Sequence, residues 1–593
     1  LLLCCMVLTL LPTTVSAADG PMDTVPKYDV SIDVYNRTSD ITITDERSYY
    51  IYSSVPDKER DTWAWDKKIF IKGDKTAPHV FIDGVNIEMS PSSKGPAIEL
   101  NKKASAYLYF IGRDSTLQGA TGRAAIQKNR SEGQVHVLVR TGTTVTCKGG
   151  KKAAGIGGSY ATREIFDSLY NGDMFGHGVN MHFGSQSNPD YWGGTIAAIG
   201  GNGGAGIGGG QGGSGEKLYF YSGTVQANGG RLASGIGGSY KGRGSEIYIY
   251  GGTVSAQGGE GGAGIGGGCW TTEQDMNGIN AAHDIYISGG TVTAKGGHNG
   301  AGIGGGQYVP ARNITVTGGF VTATGHYGAA IGGGRWCHGM DITLTDATLN
   351  LSTNYRSNGS DAAAVGYGDI VYKPDELVAD PSIATNDRIK VGSKDGKIVM
   401  LTANGYALRT DGKPSYFMHL TDFLIPDSDG MIDLSLLTLP YTQNYGWAIT
   451  DLDVKMMETS CEGNHTYGWK NRNGCHVWGC TRCPARNPLE RGPVPDGEHI
   501  PGEWENQEKK CTVCGVVSAK DTTPPVTEGI ANGMEYTADD TDDGQPGTIS
   551  FTVSDPVRDK EVSSGVKSVT INGEEQTVQT GQTYQLTAPD GGN

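Results

Sequence analysis

Two pairs of cysteines near the end of the sequence have the spacing of metal ligands. Cys480 and Cys483 form one C-x2-C motif, and Cys511 and Cys514 form a second. Thiolate sulfur is a preferred ligand of Zn²⁺, and four thiolates from two such motifs complete a tetrahedral site. The motifs therefore predict a structural zinc ion in residues 461–520, which we interpret as a zinc-ribbon-like module rich in Cys and His.

Other residues of the same segment leave two alternatives open. His465, His476 and His499 precede the motifs, so mixed Cys/His sites are also consistent with the sequence. In an oxidising compartment the cysteines would instead form disulfides, and Cys461 and Cys475 are a natural pair. Neither alternative includes a nucleophile or an open coordination position, so we expect a structural role for these cysteines.

A second set of residues suits the binding of sugars. Aromatic side chains recur in the two positions that follow a repeated glycine-rich motif, and they are Tyr160, Tyr240, Trp270, Tyr308 and Trp336. Sugars present apolar C–H faces, and aromatic rings pack well against these faces when polar groups lie nearby. We therefore predict a ligand-binding edge for a polysaccharide or for a glycan of a host or bacterial surface. The alternative is that the rings only cover the glycine-rich corner.

Carboxylates, which a polysaccharide lyase or glycoside hydrolase needs in clusters, show no recurrent paired spacing. Those near the expected loop edge are scattered, at Asp167, Asp173, Asp190, Glu273, Asp275, Asp284 and Asp341. We therefore predict no catalytic residues and no organic cofactor, and calcium is a second candidate cation. An enzyme and a structural surface stalk are the alternatives to a binding protein.

The glycine-rich motif indicates the fold that positions these residues. Copies such as "GAGIGGG" are centred on isoleucines that recur 28 to 51 residues apart, at Ile156, Ile207, Ile236, Ile265, Ile303 and Ile331. Between the copies lie short alternating segments such as "EIYIYGG" and "TVSAQGG", which are typical of strands. The pattern predicts an all-β fold, a right-handed parallel β-helix with three strands per coil over residues 19–369, with the isoleucines stacked inside.

The start of the sequence and its charge predict where the protein works. Residues 1–18 are apolar and end in small residues, as in a signal peptide whose start is truncated. We therefore expect a secreted or cell-surface protein, and no other apolar segment is long enough to predict a membrane span. The net charge of −16 opposes binding to the phosphates of a nucleic acid.

Two further regions complete the predicted organisation. Residues 370–460 are interpreted as a β-rich connecting region. Residues 521–593 alternate like the strands of a β-sandwich but contain too few strands to close one, so they predict a partial sandwich domain.

The repeated segments also carry a resemblance to known proteins. The words "NITVTGGFVTATG" and "GAAIGGG", with the upstream "HVFIDGVNIEM", resemble a family of secreted β-helix proteins found at the surface of gut Firmicutes. The resemblance covers roughly residues 28–370 and implies carbohydrate binding or adhesion, and it assigns no catalytic residue. The segment that begins "DTTPPVTEGIANGMEYTA" resembles the Ig-like modules of such proteins, which implies a partial Ig-like domain over residues 521–593.

Overall fold

Strands form where the sequence alternates between apolar and polar residues, and they stack into three long sheets. The structure, a computed structural model, describes residues 27–353 apart from 75, 92, 94, 102, 130–131, 161–175 and 271–280. It also describes the segments 362–366, 368, 389–392, 398–408, 414–425, 431–433, 447–457, 461, 465–472, 475–485, 497–505, 508–520, 526–528, 547–554, 566, 568–571, 574–578 and 583–588. The predicted signal peptide at 1–18 lies outside the described residues, as do Asp167, Asp173, Glu273 and Asp275.

Each of the three sheets takes strands from successive turns of the chain, and the strands between residues 30 and 366 pair in parallel. The strands of sheet 1 are Val30–Asp33, Ser48–Tyr52, His79–Asp83, Ala106–Phe110, Val135–Val139, Gly178–Phe183, Gly215–Phe220, Gly244–Ile249, Ala282–Ile287, Ala311–Val316, Gly339–Thr345, Ile389–Gly392 and Met431–Asp433. The strands of sheet 2 are Ile41–Ile43, Ile69–Lys72, Ile98–Asn101, Ile126–Gln127, Ile156–Gly157, Ile207–Gly208, Ile236–Gly237, Ile265–Gly266, Ile303–Gly304, Ile331–Gly332 and Val365–Gly366. The strands of sheet 3 are Ile87–Glu88, Ser115–Gln118, Thr144–Lys148, Thr195–Ile199, Thr224–Asn228, Thr253–Gln257, Thr291–Lys295, Phe320–Gly325, Thr348–Thr353, Ile398–Leu408, Pro414–Leu424 and Trp447–Met457.

Consecutive strands of one turn belong to different sheets, so the chain is a parallel β-helix with three strands per coil, as predicted. A short 3-10 helix, Asp57–Glu59, is the one helix among the described residues. The described part of the predicted connecting region continues sheets 1 and 3. Ile389–Gly392 pairs in parallel with Gly339–Thr345, and the strands that follow it pair antiparallel. Trp447–Met457 pairs with Thr348–Thr353 and so satisfies backbone groups at the edge of the last coil.

Stacked aliphatic side chains fill the inside of the solenoid. The predicted isoleucines are fully buried and pair in register along sheet 2, which confirms the stack of Ile156, Ile207, Ile236, Ile265, Ile303 and Ile331. Burial of one isoleucine side chain contributes about 2 kcal/mol. Sheet 3 alternates in the same way, since Val254 and Ala256 are buried while Thr253 and Ser255 face solvent.

Close packing between coils requires the glycine that follows each isoleucine. Gly266 has a φ of 130°, in a region that residues with a side chain rarely adopt. A Cβ atom at this position would also overlap the carbonyl oxygen of Gly304 in the next coil. The repeated pair of isoleucine and glycine therefore places a large side chain inside and a bare backbone between coils.

The chain divides into two compact units, residues 1–463 and residues 464–593. The strands of the second unit are antiparallel and short: Tyr467–Arg472, Cys475–Cys480, Gly497–Glu498, Pro501–Glu505, Glu508–Cys511, Val517–Lys520, Val526–Glu528, Gly547–Ser554, Val569–Ile571, Glu574–Gln576 and Thr583–Ala588. Phe551, Val553, Val569 and Tyr584 form a small core in its last part. The Ig-like assignment and the domain boundaries stay predictions.

Candidate functional site

The five predicted aromatic residues lie at one corner of the solenoid, directly after the strands of sheet 2. All of them are half-buried: Tyr160, Tyr240, Trp270, Tyr308 and Trp336. Tyr160 and Tyr240 occupy the fourth position after their isoleucine, whereas the other three occupy the fifth. The corner therefore carries its rings at two different positions of the coil and not in one continuous row.

Contacts within the protein use part of the ring surface at this corner. The rings of Tyr308 and Trp336 stack with their centroids 4.6 Å apart. The guanidinium carbon of Arg335 lies 4.2 Å from the ring centroids of both Trp336 and Tyr327. The Lys152 ammonium lies 4.2 Å from the ring centroid of Tyr160. These stacking and cation–π contacts stabilise the corner and leave less ring area for a ligand.

A second aromatic set, which the sequence analysis missed, lies on the outer face of sheet 1. Its rings stack with centroid separations between 4.4 and 5.1 Å, and they are His79, Tyr107, His136, His182, Tyr219, Tyr248 and Tyr286. Each ring and the next occupy partner positions in the sheet register, so the spacing of the coils sets the spacing of the rings. We call this set the aromatic row.

The two histidines in the middle of the aromatic row are buried and neutral. Burial, with His182 and His79 nearby, holds the pKa of His136 well below 6.5. Burial also lowers the pKa of His182 to about 4. One ring nitrogen of His182 lies 3.1 Å from the hydroxyl of Tyr221. Since His136 is 5% exposed and His182 is 7% exposed, this half of the row is packing and not a contact surface.

The aromatic row ends at Tyr286, and this end makes a step on the surface of sheet 1. The next two partner positions hold Thr315 and Thr343, so among the described residues the Tyr286 ring has a ring neighbour on one side only. Beside it, Tyr250 and Ser288 directly follow the paired residues Ile249 and Ile287, and the backbone N–H of Ser288 donates to the carbonyl of Ile249. We call Tyr250, Tyr286, Ser288, Thr315 and Thr343 the tyrosine shelf.

Polar side chains border the tyrosine shelf. The Asn313 amide donates to the hydroxyl of Tyr286 at 2.9 Å and to a carboxylate oxygen of Asp284. A ring nitrogen of His283 lies 2.7 Å from the other oxygen of Asp284. Asp284, Asn313 and Asp341 have left-handed φ values of 56°, 52° and 55°, which Asp and Asn tolerate better than most residues. Each of these coils therefore presents an amide or carboxylate at the same point of the sheet.

The first C-x2-C motif belongs to a cluster of four metal-ligand groups. The ligand atoms of Cys461, His465, Cys480 and Cys483 all lie within 4.8 Å of one another. Cys483 Sγ is 3.5 Å from Nδ1 of His465. Burial raises the pKa of the Cys480 thiol, but hydrogen bonds from the backbone N–H of Arg482 and from His465 outweigh it and lower the pKa to about 5. Three thiols and one imidazole fit the ligand set of a structural zinc site.

The second C-x2-C motif belongs to a separate cluster with its own histidine. The ligand atoms of His499, Cys511 and Cys514 lie within 4.8 Å of one another. Burial raises the pKa of Cys511, but hydrogen bonds from the backbone N–H of Cys514 and from His499 lower it to about 6. The structure therefore divides the four predicted thiol ligands between two Cys/His clusters. Both clusters could hold a metal such as zinc, whereas calcium, which prefers oxygen ligands, is favoured by neither.

Comparison with known proteins supports the solenoid. Residues 221–240, 247–269, 285–307 and 314–335 match the family described as beta helix repeat. No curated protein and no solved structure matches the chain. In the part of the chain that the structure describes, no helix is both long and apolar enough to cross a membrane.

Proposed function

We propose that this parallel β-helix protein is a non-catalytic glycan-binding protein that is secreted or displayed on a cell surface, with the tyrosine shelf as its contact. The observation that supports the proposal is the position of Tyr286. Its ring ends the aromatic row above two small residues, Thr315 and Thr343, next to the amide of Asn313. A sugar that stacks on this ring meets a flat apolar surface and hydrogen-bonding groups together.

The surroundings of the tyrosine shelf suit a neutral sugar. Asp284 and Asp341 offer carboxylate oxygens that accept hydrogen bonds from sugar hydroxyls, and the net charge of the chain is −16, which opposes strongly anionic polymers. The shelf is carried by paired strands, so its side chains are held in place before a ligand arrives. Binding to a protein surface through the same shelf is the adhesin form of this function.

The corner aromatics are the alternative contact surface for the same function. Trp270, Tyr308 and Trp336 lie on one edge and remain half-buried, so part of each ring is accessible. The stacking of Tyr308 on Trp336 and the cation–π contact of Arg335 with Trp336 give these two rings a packing role as well. Substitutions that remove one surface at a time therefore decide which of the two surfaces binds the glycan.

The test is a glycan-array screen of the full chain beside three variants. Tyr286→Thr continues the row with the residue found at the next two positions, so it removes the half-buried ring at the end of the row with little disturbance of the coil. Tyr52→Thr makes the same change far away on sheet 1 and is the matched control. Trp270→Ala with Trp336→Ala removes the two tryptophan rings of the corner.

We expect the Tyr286→Thr variant to lose binding while Tyr52→Thr retains it. Loss of binding only in the double tryptophan variant would move the contact to the corner and overturn the shelf. No binding by the unaltered chain would favour the structural stalk, and new reducing ends or unsaturated products in the same samples would favour a glycoside hydrolase or lyase.

A further inference from the structure

The two Cys/His clusters are built on the same local scaffold. In the first, the backbone N–H of Thr481 donates to the carbonyl of Thr466 at 2.7 Å. In the second, the backbone N–H of Thr512 donates to the carbonyl of Ile500 at 2.9 Å. Each threonine directly follows the first cysteine of its C-x2-C motif, and each acceptor directly follows the cluster histidine. The same bond therefore joins the same two positions in both clusters.

The ligand groups also occupy equivalent positions in the two clusters. Cys483 Sγ lies 3.5 Å from Nδ1 of His465, and Cys514 Sγ lies 3.3 Å from Nδ1 of His499. In both clusters the second cysteine of the motif thus approaches the same nitrogen of the histidine. Two arrangements that agree in these contacts are two copies of one site, which opposes the sharing of a single ion between the motifs.

The copies differ in their fourth ligand. Cys461 stands four residues before His465 and completes the first cluster. The residue four positions before His499 is Pro495, whose side chain offers no ligand atom. Within the described residues, the second cluster has three ligand groups. Three protein ligands with a fourth position left open are typical of zinc sites that exchange ligands, whereas four protein ligands close a structural site.

We propose that the chain binds two Zn²⁺ ions at independent sites, one closed and one open. Cys461, His465, Cys480 and Cys483 hold the first ion. His499, Cys511 and Cys514 hold the second, which keeps one position for water or for a small molecule with a nitrogen donor. The proposal is independent of glycan binding, because its ligands come from a different part of the chain.

The first test counts metal ions in the full chain, purified with a reducing agent and loaded with Zn²⁺. We expect two zinc ions in the unaltered protein and one in each of two double variants, Cys480→Ser with Cys483→Ser, and Cys511→Ser with Cys514→Ser. Cys147→Ala is the control, since it removes a thiol of the solenoid core and matches Ala198, its partner in the next coil. One ion in the unaltered chain, lost in both double variants, would overturn the proposal, as would cysteines that form disulfides and bind no metal.

The second test examines the open position with Co²⁺ in place of zinc and imidazole as the probe. In the variant that lacks Cys480 and Cys483, only the second site is loaded, and we expect imidazole to shift the visible absorption of the cobalt. In the variant that lacks Cys511 and Cys514, we expect no shift, because the first site is closed. A spectrum of the second site that does not respond to imidazole would show that a protein ligand closes it and would overturn the open position.

Discussion

The solenoid and the Cys-rich segment are stabilised in different ways. The solenoid has an uninterrupted core of stacked aliphatic residues from successive coils. In the described part of residues 461–520, the buried apolar side chains are Cys461, Cys480, Cys483, Ala485 and Cys511. Thiols thus occupy the place of a hydrophobic core, so we expect the proposed metal ions to supply the stability that a core would otherwise give.

The difference shows that one residue type has opposite roles in the two regions. Cys147 is fully buried in the solenoid, between Leu117 and Ala198 of the neighbouring coils, and burial raises the pKa of its thiol. Burial also raises the pKa of Cys480, but hydrogen bonds from the Arg482 backbone N–H and from His465 lower it to about 5. The environment therefore makes the first cysteine a packing residue and favours the thiolate form of the second, which suits the metal site proposed above.

Removal of metal should give the largest difference between the two regions. Metal binding supplies about 10 kcal/mol or more to small domains of this kind, so a chelator should unfold residues 461–520 and leave the solenoid intact. Hydrogen exchange measured by mass spectrometry on the full chain follows both regions at once. Unchanged protection of residues 461–520 from hydrogen exchange after complete metal removal would contradict the expected dependence of this segment on metal.

A substitution at the contact between two coils tests how close packing stabilises the solenoid. Gly266→Ala combines a φ of 130° with overlap of the new Cβ and the Gly304 carbonyl, so we expect a loss of about 4 kcal/mol in the free energy of unfolding. Denaturant unfolding gives the value. Gly142→Ala is the matched control, because Gly142 has a φ of 83° but no atom within 4 Å of the added Cβ. Equal losses in both variants would mean that close packing of the coils is not the cause.

Acid should weaken the solenoid through its buried histidines. The pKa of His182 is about 4 in the folded chain and near 6.5 when unfolded, so the unfolded state binds more protons between these values. The contribution of neutral His182 to the free energy of unfolding is complete above pH 6.5. It falls by about 3 kcal/mol as the pH drops to 4. Melting temperatures across this range measure it.

The variant for the acid prediction is His182→Tyr, which matches Tyr219 in the next coil. Its melting temperature should fall less with acid than that of the unaltered chain, although His136 still contributes. If the melting temperatures of the two proteins fell equally with decreasing pH, His182 would be excluded as a source of the acid sensitivity.

The smallest expected effect concerns the cysteine of the solenoid. Cys147→Ala removes one sulfur from the core beside Ala198, so the free energy of unfolding should fall by about 1 kcal/mol, and bound zinc should not change. Denaturant unfolding and metal analysis of the same sample check both parts. A loss of zinc in this variant would break the division of roles between the two groups of cysteines.

The sequence allowed the isoleucine stack to be predicted because the repeated glycines mark its register. The aromatic row was missed although a signal existed, since Tyr219, Tyr248 and Tyr286 keep the same spacings of 29 and 38 residues as the motif isoleucines. His136 and His182 gave no such signal, because an insertion separates their coils. Periodic spacing therefore reveals partners only where consecutive coils have recognisable copies.

The Cys/His clusters show a different limit of sequence analysis. The C-x2-C spacing identifies thiol ligands, but only the fold decides which histidine joins each pair. Tyr467 pairs with Cys480 across a hairpin, which brings His465 beside Cys483. No regular spacing in the sequence encodes that hairpin contact, so a single site with four thiolates was the simpler prediction.

The tyrosine shelf exists because one position of the coil changes from tyrosine to threonine between two neighbouring rungs. The backbone is the same on both sides of this boundary. A single replacement at Thr315 or at Tyr286 would therefore displace the step by one rung, about 4.8 Å along the axis, without any change of fold. The position of such a contact surface along the solenoid is set by the side chain that each coil carries at this register position. A single substitution can therefore move the surface by one coil during evolution.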